Sequence, residues 1–180
     1  MNNEENKKTI FNFEKNDYGS EYRSHLMEQY RIYIDSVEKN SDRRQKNNDF
    51  FLTVNTALLA LLGISSKTNN ISIPMIIIVS LAGIVICYSW YRLIMSYKNI
   101  NTGKFKVVHK IEKQLPVSLY DVEWKELGEG KNKKLYLPFT HIELKIPWIF
   151  VVLYLIVILI NIQWISLLKV VCSFVRYSLS

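Results

Sequence analysis

Apolar and polar positions follow two different patterns along this chain. Near the start, Leu26, Tyr30, Tyr33 and Val37 recur at four-three-four spacing, the signature of an apolar seam on one face of a helix. Continued in the same register, the seam passes through Asn40, Arg44 and Asn47, then Phe51, Val54, Leu58 and Leu61. No Pro and no Gly interrupts the stretch before Gly63, so one continuous helix is predicted to leave a charged segment and enter an apolar one. A seam that is apolar, then polar, then apolar has two readings. In a monomer, Asn40 to Asn48 would be exposed to solvent. In an oligomer the same positions face neighbouring helices or a central lumen, where polar seam residues fix register and copy number at some cost in stability.

The second pattern is a set of charge-free blocks. Between Phe50 and Tyr91 the only charged residue is Lys67, and between Pro147 and Leu168 there is none. Such blocks mark hydrocarbon-embedded segments. The expected fold is an all-α membrane protein: a flexible tail over 1–20, a cytoplasmic amphipathic stalk helix over 21–49, and spans over 50–64, 71–94 and 147–168. A small helical cytoplasmic insert over 95–146 and a C-terminal tail over 169–180 complete it. The first span is short for about 30 Å of hydrocarbon, and Thr53, Asn55 and Thr56 make it polar. Asn55 in lipid would be costly, so it is expected to face other helices or water.

Pro74 suits the first turn of the second span, where a missing N–H is tolerated. Gly83, with Ser80 or Cys87, offers small residues for close helix approach. In the insert, Asn101 or Thr102 is expected to cap a helix over 103–114 with Phe105, Val108 and Ile111 on one face, ended by Pro116. Ser118 offers the cap of a further short helix, stopped by Gly128, Glu129 and Gly130. The third span carries Trp148 and Trp164 near its ends as interface anchors.

Charge orients these elements. The formal net charge is +7, but nine Lys/Arg precede Phe50 and eleven lie from Arg92 to Lys145. That distribution is the positive-inside asymmetry, so the basic excess is assigned to orientation and lipid headgroups rather than to nucleic acid. The expected location is the bacterial cytoplasmic (inner) membrane, multi-pass, with the N-terminus in the cytoplasm. Met1 to Asn16 is polar, so the first span is expected to direct insertion itself.

Candidate chemistry is sparse. His25, His109 and His141 lack ligand spacing, Asp121, Glu123 and Glu126 read as a solvated helix face, and no phosphate-binding Gly-rich loop occurs. No enzyme activity, metal or cofactor is expected. Two polar groups carry the weight instead. Arg43, Arg44 and Lys46 stand where the first helix enters the membrane, as headgroup contacts or as a positive ring at a vestibule. Asn40, Arg44, Asn47 and Asn55 are the candidates for facing other copies or a lumen.

The segments YRIYIDSVEKNSDRRQKNNDFFLTVNTALLALLG, NINTGKFKVVHKIEKQLP, YDVEWKELGEG and YLPFTHIELKIPWIF, in this order, resemble the RipA-like family of small octameric bacterial inner-membrane proteins. The layout is more loosely similar to the SLATT-type proteins linked to bacterial conflict systems, although the third span departs from theirs. The resemblance implies a homo-oligomeric ring of eight copies in a lipid bilayer, without known catalytic chemistry. The function expected is a non-enzymatic membrane assembly, pore- or channel-like, whose cytoplasmic face receives a protein partner or signal. The alternative is a non-conducting scaffold or regulator in stress adaptation or phage defence. Three spans with a cytoplasmic N-terminus place the C-terminal tail outside. A Ser178→Cys variant is therefore expected to react with an impermeant thiol reagent from the outer face only, and labelling from the cytoplasm would break the three-span topology.

Overall fold

The computed structural model describes residues 10–13, 15–68, 72–131 and 142–178. The first nine residues of the tail, the turn tip at 69–71 and the return segment 132–141 with Pro138 and His141 lie outside the described residues. So do the side chains of Trp164, Lys169, Cys172 and Arg176. The elements are α1 (Lys15–Tyr18), α2 (Tyr22–Thr68), α3 (Ile73–Glu112), α4 (Leu119–Glu126), a 3-10 turn at Gly128–Gly130, and α5 (Ile146–Ser178). Among the described residues there is no strand.

Three departures from the expected organisation have physical causes. The first concerns the tail, which is not loose throughout. Phe13 packs edge-on against Tyr18, Tyr18 against Tyr22 and His25, and the Tyr18 hydroxyl lies 2.9 Å from His25 Nδ1. Gly19, at φ 94°, supplies the left-handed turn that allows this.

The second departure is α3, which does not stop at the end of the apolar block. It runs for 40 residues in all, to Glu112, so the expected separate helix over 103–114 is its own continuation. Thr102 caps nothing: its Oγ1 donates back to the Lys98 carbonyl at 3.0 Å, a bond available only inside a helix. One glycine, Gly103, costs a long helix about 1 kcal/mol, too little to break it. The third departure is α5, whose backbone runs to Ser178, past Leu168, with no Pro or Gly after Pro147 to end it.

The chain divides into two compact units, one of Met1–Arg43 with Tyr97–Pro138 and one of Arg44–Ser96 with Phe139–Ser180. In the first unit α2 and α3 pack antiparallel. Lys104 sits 5.0 Å from the Tyr33 ring centre and donates to Ser36 Oγ at 2.5 Å, while Tyr30 reaches Glu112. Val37 and Val108 are buried there.

The second unit is a three-helix bundle. Trp90 stacks on Phe51, touches Phe150 and donates to Asn48, and Tyr91 packs on Trp148. Ascending residues of α2 and α5 thus meet descending residues of α3. The buried centre is Leu62, Ile76, Cys87 and Tyr154, with Leu58, Val79, Phe150 and Val157 packed against it. Outward, α3 shows Met75, Ile78, Leu81 and Val85, and α5 shows Val152, Leu155, Ile156 and Leu159, all exposed. Two helices, α2 and α3, are long and apolar enough to cross a membrane, and Ile146–Ile162 of α5 is a shorter apolar stretch.

The seam of α2 drifts. Its members are buried or half-buried as far as Leu58, yet Leu61 is 59% exposed while Asn55 and Leu62 are buried. A straight helix has 3.6 residues per turn, so a strict seven-residue repeat slips about 20° per heptad. Val37 and Asn55, both buried, are separated by about five whole turns, as a straight helix requires.

Gly83 sets the closest approach in the bundle. A Cβ there would lie 2.3 Å from Cζ of Tyr154, whose ring is held by its hydroxyl and cannot swing away. Gly83→Ala is expected to lower stability by about 1–3 kcal/mol through overpacking, measured by unfolding in detergent. Gly63→Ala, with open space around it, should be neutral or stabilising.

Candidate functional site

The polar residues of the bundle are organised in two layers of the second unit. In the deeper layer Asn55 is fully buried. Its Oδ1 accepts from Cys87 Sγ at 3.1 Å and from the Tyr154 hydroxyl at 3.1 Å, and its Nδ2 donates to the Phe51 carbonyl at 2.8 Å. One side chain of α2 is thereby bonded to α3 and to α5. Both lone pairs of the amide oxygen and one of its two N–H donors are used, so most of the group's polarity is met inside an apolar core.

The second layer lies about two turns of α2 earlier. Arg44 donates through Nη2 to Glu143 Oε2 at 2.5 Å and through Nε to Oε1 at 3.3 Å, a two-point contact of planar groups. Asn48 Nδ2 donates to the same carboxylate at 3.0 Å, while Asn48 Oδ1 accepts from Trp90 Nε1 at 2.9 Å. Arg44 and Glu143 keep only 18% and 14% of their side chains exposed. Removing one partner of such a pair would leave the other charge poorly solvated.

The first unit has its own polar centre. Glu112, 1% exposed, accepts from the Tyr30 hydroxyl at 3.2 Å and from the backbone N–H groups of Tyr120 and Asp121 at 3.0 and 3.2 Å. The last two belong to the first turn of α4, so the Glu112 carboxylate satisfies that helix's free donors and its positive dipole end. Ser118 makes no cap bond of its own, and its Oγ donates instead to the Glu112 carbonyl at 3.4 Å. The expected Ser118 cap is thus replaced by a carboxylate from α3, which meets two donors where a hydroxyl meets one. Burial first, and then the Glu112 carboxylate, pushes the Tyr30 phenol up to about 12. Around α4, Asp121 is held below the usual carboxylate range by its bond to Lys125. Gly128, Glu129 and Gly130 all take positive φ and end this segment, Glu129 at 53° and paired with Lys131.

These positions change the reading of the residues singled out from sequence. Asn55, expected to face other helices or water, is fully buried against α3 and α5 of its own chain. Arg44 is committed to Glu143 rather than standing free in a positive cluster. Arg43 and Lys46 are exposed, and Asn40 and Asn47 are half-buried. Sequence reasoning gave no structural role to Glu112, Glu143 or Tyr154. Glu112 had a legible signal, since it follows Phe105 and Val108 at three-four spacing and is the one charged member of that apolar face. Among the described residues no three His, Cys, Asp or Glu side chains group to hold a metal ion.

Apolar outward faces around an internally satisfied polar core define a helical membrane protein. The chain belongs to the octameric membrane protein family (8xMP), whose family model matches residues 27–163. No curated protein and no solved structure matches it.

Glu112→Ala is expected to speed hydrogen exchange at the Tyr120 and Asp121 amides on the order of tenfold or more, because about 1–3 kcal/mol of donor satisfaction is lost. Exchange in α2 around Asn55 should not change. Unaltered Tyr120 exchange would show that Glu112 does not hold α4.

Proposed function

We propose that the chain builds a non-enzymatic homo-oligomer of the bacterial inner membrane, eight copies as the family's name states, with three spans and a cytoplasmic N-terminus. The observation that carries this reading is the outward apolar face of α3 and α5 around a bundle whose polar groups are consumed inside. Such a surface is unfavourable in water and suits lipid or another copy. The helical unit of Met1–Arg43 and Tyr97–Pro138 would then be the face offered to a cytoplasmic protein partner or signal. The RipA-like resemblance agrees with this assignment.

A lumen between copies would draw on what the helices leave exposed. On α2 these residues include Thr53 and Thr56; on α3 and α5 they are mainly apolar. A pore- or channel-like assembly would therefore be lined by α2, with Arg43 and Lys46 near its mouth. The inward turn of Asn48 and Asn55 favours the second reading, a non-conducting scaffold or regulator in stress adaptation or phage defence, because it removes two polar groups from any such lining.

Native mass measurement of the extracted protein should return eight chains, and a monomer would end the assembly reading. In liposomes, a channel requires ion flux that changes when Arg43→Glu and Lys46→Glu are introduced together. An intact octamer with no flux assigns the protein to the scaffold class.

A further inference from the structure

Three cations of the second unit are exposed and have no ion-pair partner among the described residues: Lys46 on α2, Arg92 on α3 and Lys145 just ahead of α5. They are far apart in sequence, and helix register brings them to one level. Trp90 donates to Asn48 across antiparallel helices, so the residue two places after Trp90 stands at the same height along the bundle as the residue two places before Asn48, each turned away from that contact. Those residues are Arg92 and Lys46. Glu143 is held by both Arg44 and Asn48, which centres it on the level of Lys46, and Lys145 follows within about 3 Å of rise along the bundle.

The acidic side chains near this level are few. Glu143 is neutralised by Arg44, and α5 has no carboxylate anywhere along it. The first acid of α3 is Glu112, at that helix's far end. Asp42 and Asp49 on α2 are the remaining exposed carboxylates, one turn to either side of Lys46. Immediately beyond the cations come aromatic groups, with Trp148 packed edge-on against Tyr91 at 5.7 Å and itself 52% exposed. Exposed apolar side chains follow, Leu52 on α2, Val85 on α3 and Val152 on α5. The order from cation to interfacial aromatic to hydrocarbon is that of a phospholipid molecule from phosphate to acyl chain.

We propose that Lys46, Arg92 and Lys145 form a collar that binds the phosphates of anionic phospholipids, with the acyl chains lying on the adjoining apolar faces. This rests on the reading that the three helices of the unit span a membrane. A free phosphate would use the cations but not the exposed apolar strips that continue from Arg92 through Tyr88, Val85 and Leu81 and from Lys145 through Trp148, Ile149 and Val152, which is why a lipid is the occupant. Arg44, although nearest to Lys46 in sequence, is excluded because Glu143 already takes its guanidinium.

The test uses the full chain in phosphatidylcholine vesicles with and without phosphatidylglycerol, re-extracted so that retained lipid can be counted per chain by native mass measurement. Wild type should retain phosphatidylglycerol preferentially. The Lys46→Gln, Arg92→Gln, Lys145→Gln variant should lose that retention on the order of fivefold for each charge removed, with phosphatidylcholine unchanged. The matched variant Lys106→Gln, Lys110→Gln, Lys113→Gln, exposed cations of the first unit, should retain it. Equal loss in both variants, or full retention in the first, overturns the collar. A changed oligomer size with phosphatidylglycerol retention intact would mean that the cations contact another copy, and also overturns it. A wild type that inserts into vesicles yet shows no preference for phosphatidylglycerol defeats the collar alone, whereas one that fails to insert defeats the spanning reading itself.

Discussion

A primary amide cannot sit in hydrocarbon without partners, because no water is present to replace a missing hydrogen bond. Asn55 meets that constraint inside its own chain, and much of the bundle follows from how it does so. Its oxygen takes the Cys87 thiol and the Tyr154 hydroxyl together, which sets the register of α3 and α5 against α2. Tyr154 then has to lie flat on α3, and only a residue without a side chain can sit beneath its ring; Gly83 is that residue. A one-residue slip of any of the three helices would strand at least one of these groups. The network's worth is in specifying one register more than in raw stability.

The Arg44, Glu143, Asn48 and Trp90 layer applies the same logic nearer the charged end of the bundle. Here the demand is stronger, since a carboxylate and a guanidinium are both largely withdrawn from solvent and must be paired by geometry. The consequence for function is direct. Three of the polar residues that made the first helix look like the lining of an aqueous path, Arg44, Asn48 and Asn55, are spent on holding the protomer together. Among the described residues, what is exposed includes apolar, lipid-compatible surface, the Thr53 and Thr56 hydroxyls of α2, and the cations Lys46, Arg92 and Lys145.

In the other unit Glu112 does for the short helix α4 what Asn55 does for the long ones. Its carboxylate ties a helix of eight residues, too short to be stable alone, to both α2 and α3. Leu119 and Val122 of α4 are exposed, and Tyr120 supplies its ring contact with α3 through Phe105. The match of the Glu112 carboxylate to the N-terminus of α4 adds to that contact.

Some of this was legible without a fold. The charge-free blocks, the uninterrupted run from Tyr22 toward Gly63, Pro74 at a helix start and Gly83 as a point of close approach are properties of local chemistry. They follow from hydrocarbon solubility, backbone sterics and ring geometry, which neighbours in sequence largely determine. Pairing was not legible. Whether Asn55 faces a lumen or a tyrosine about a hundred residues away depends on which helix arrives beside it, and a helical period allows both. The drift of the α2 seam from Leu61 to Leu62, the capture of Arg44 by Glu143 and the alignment of Lys46 with Arg92 and Lys145 have the same origin. They are set by the packed register of three helices, a long-range quantity that no local pattern encodes.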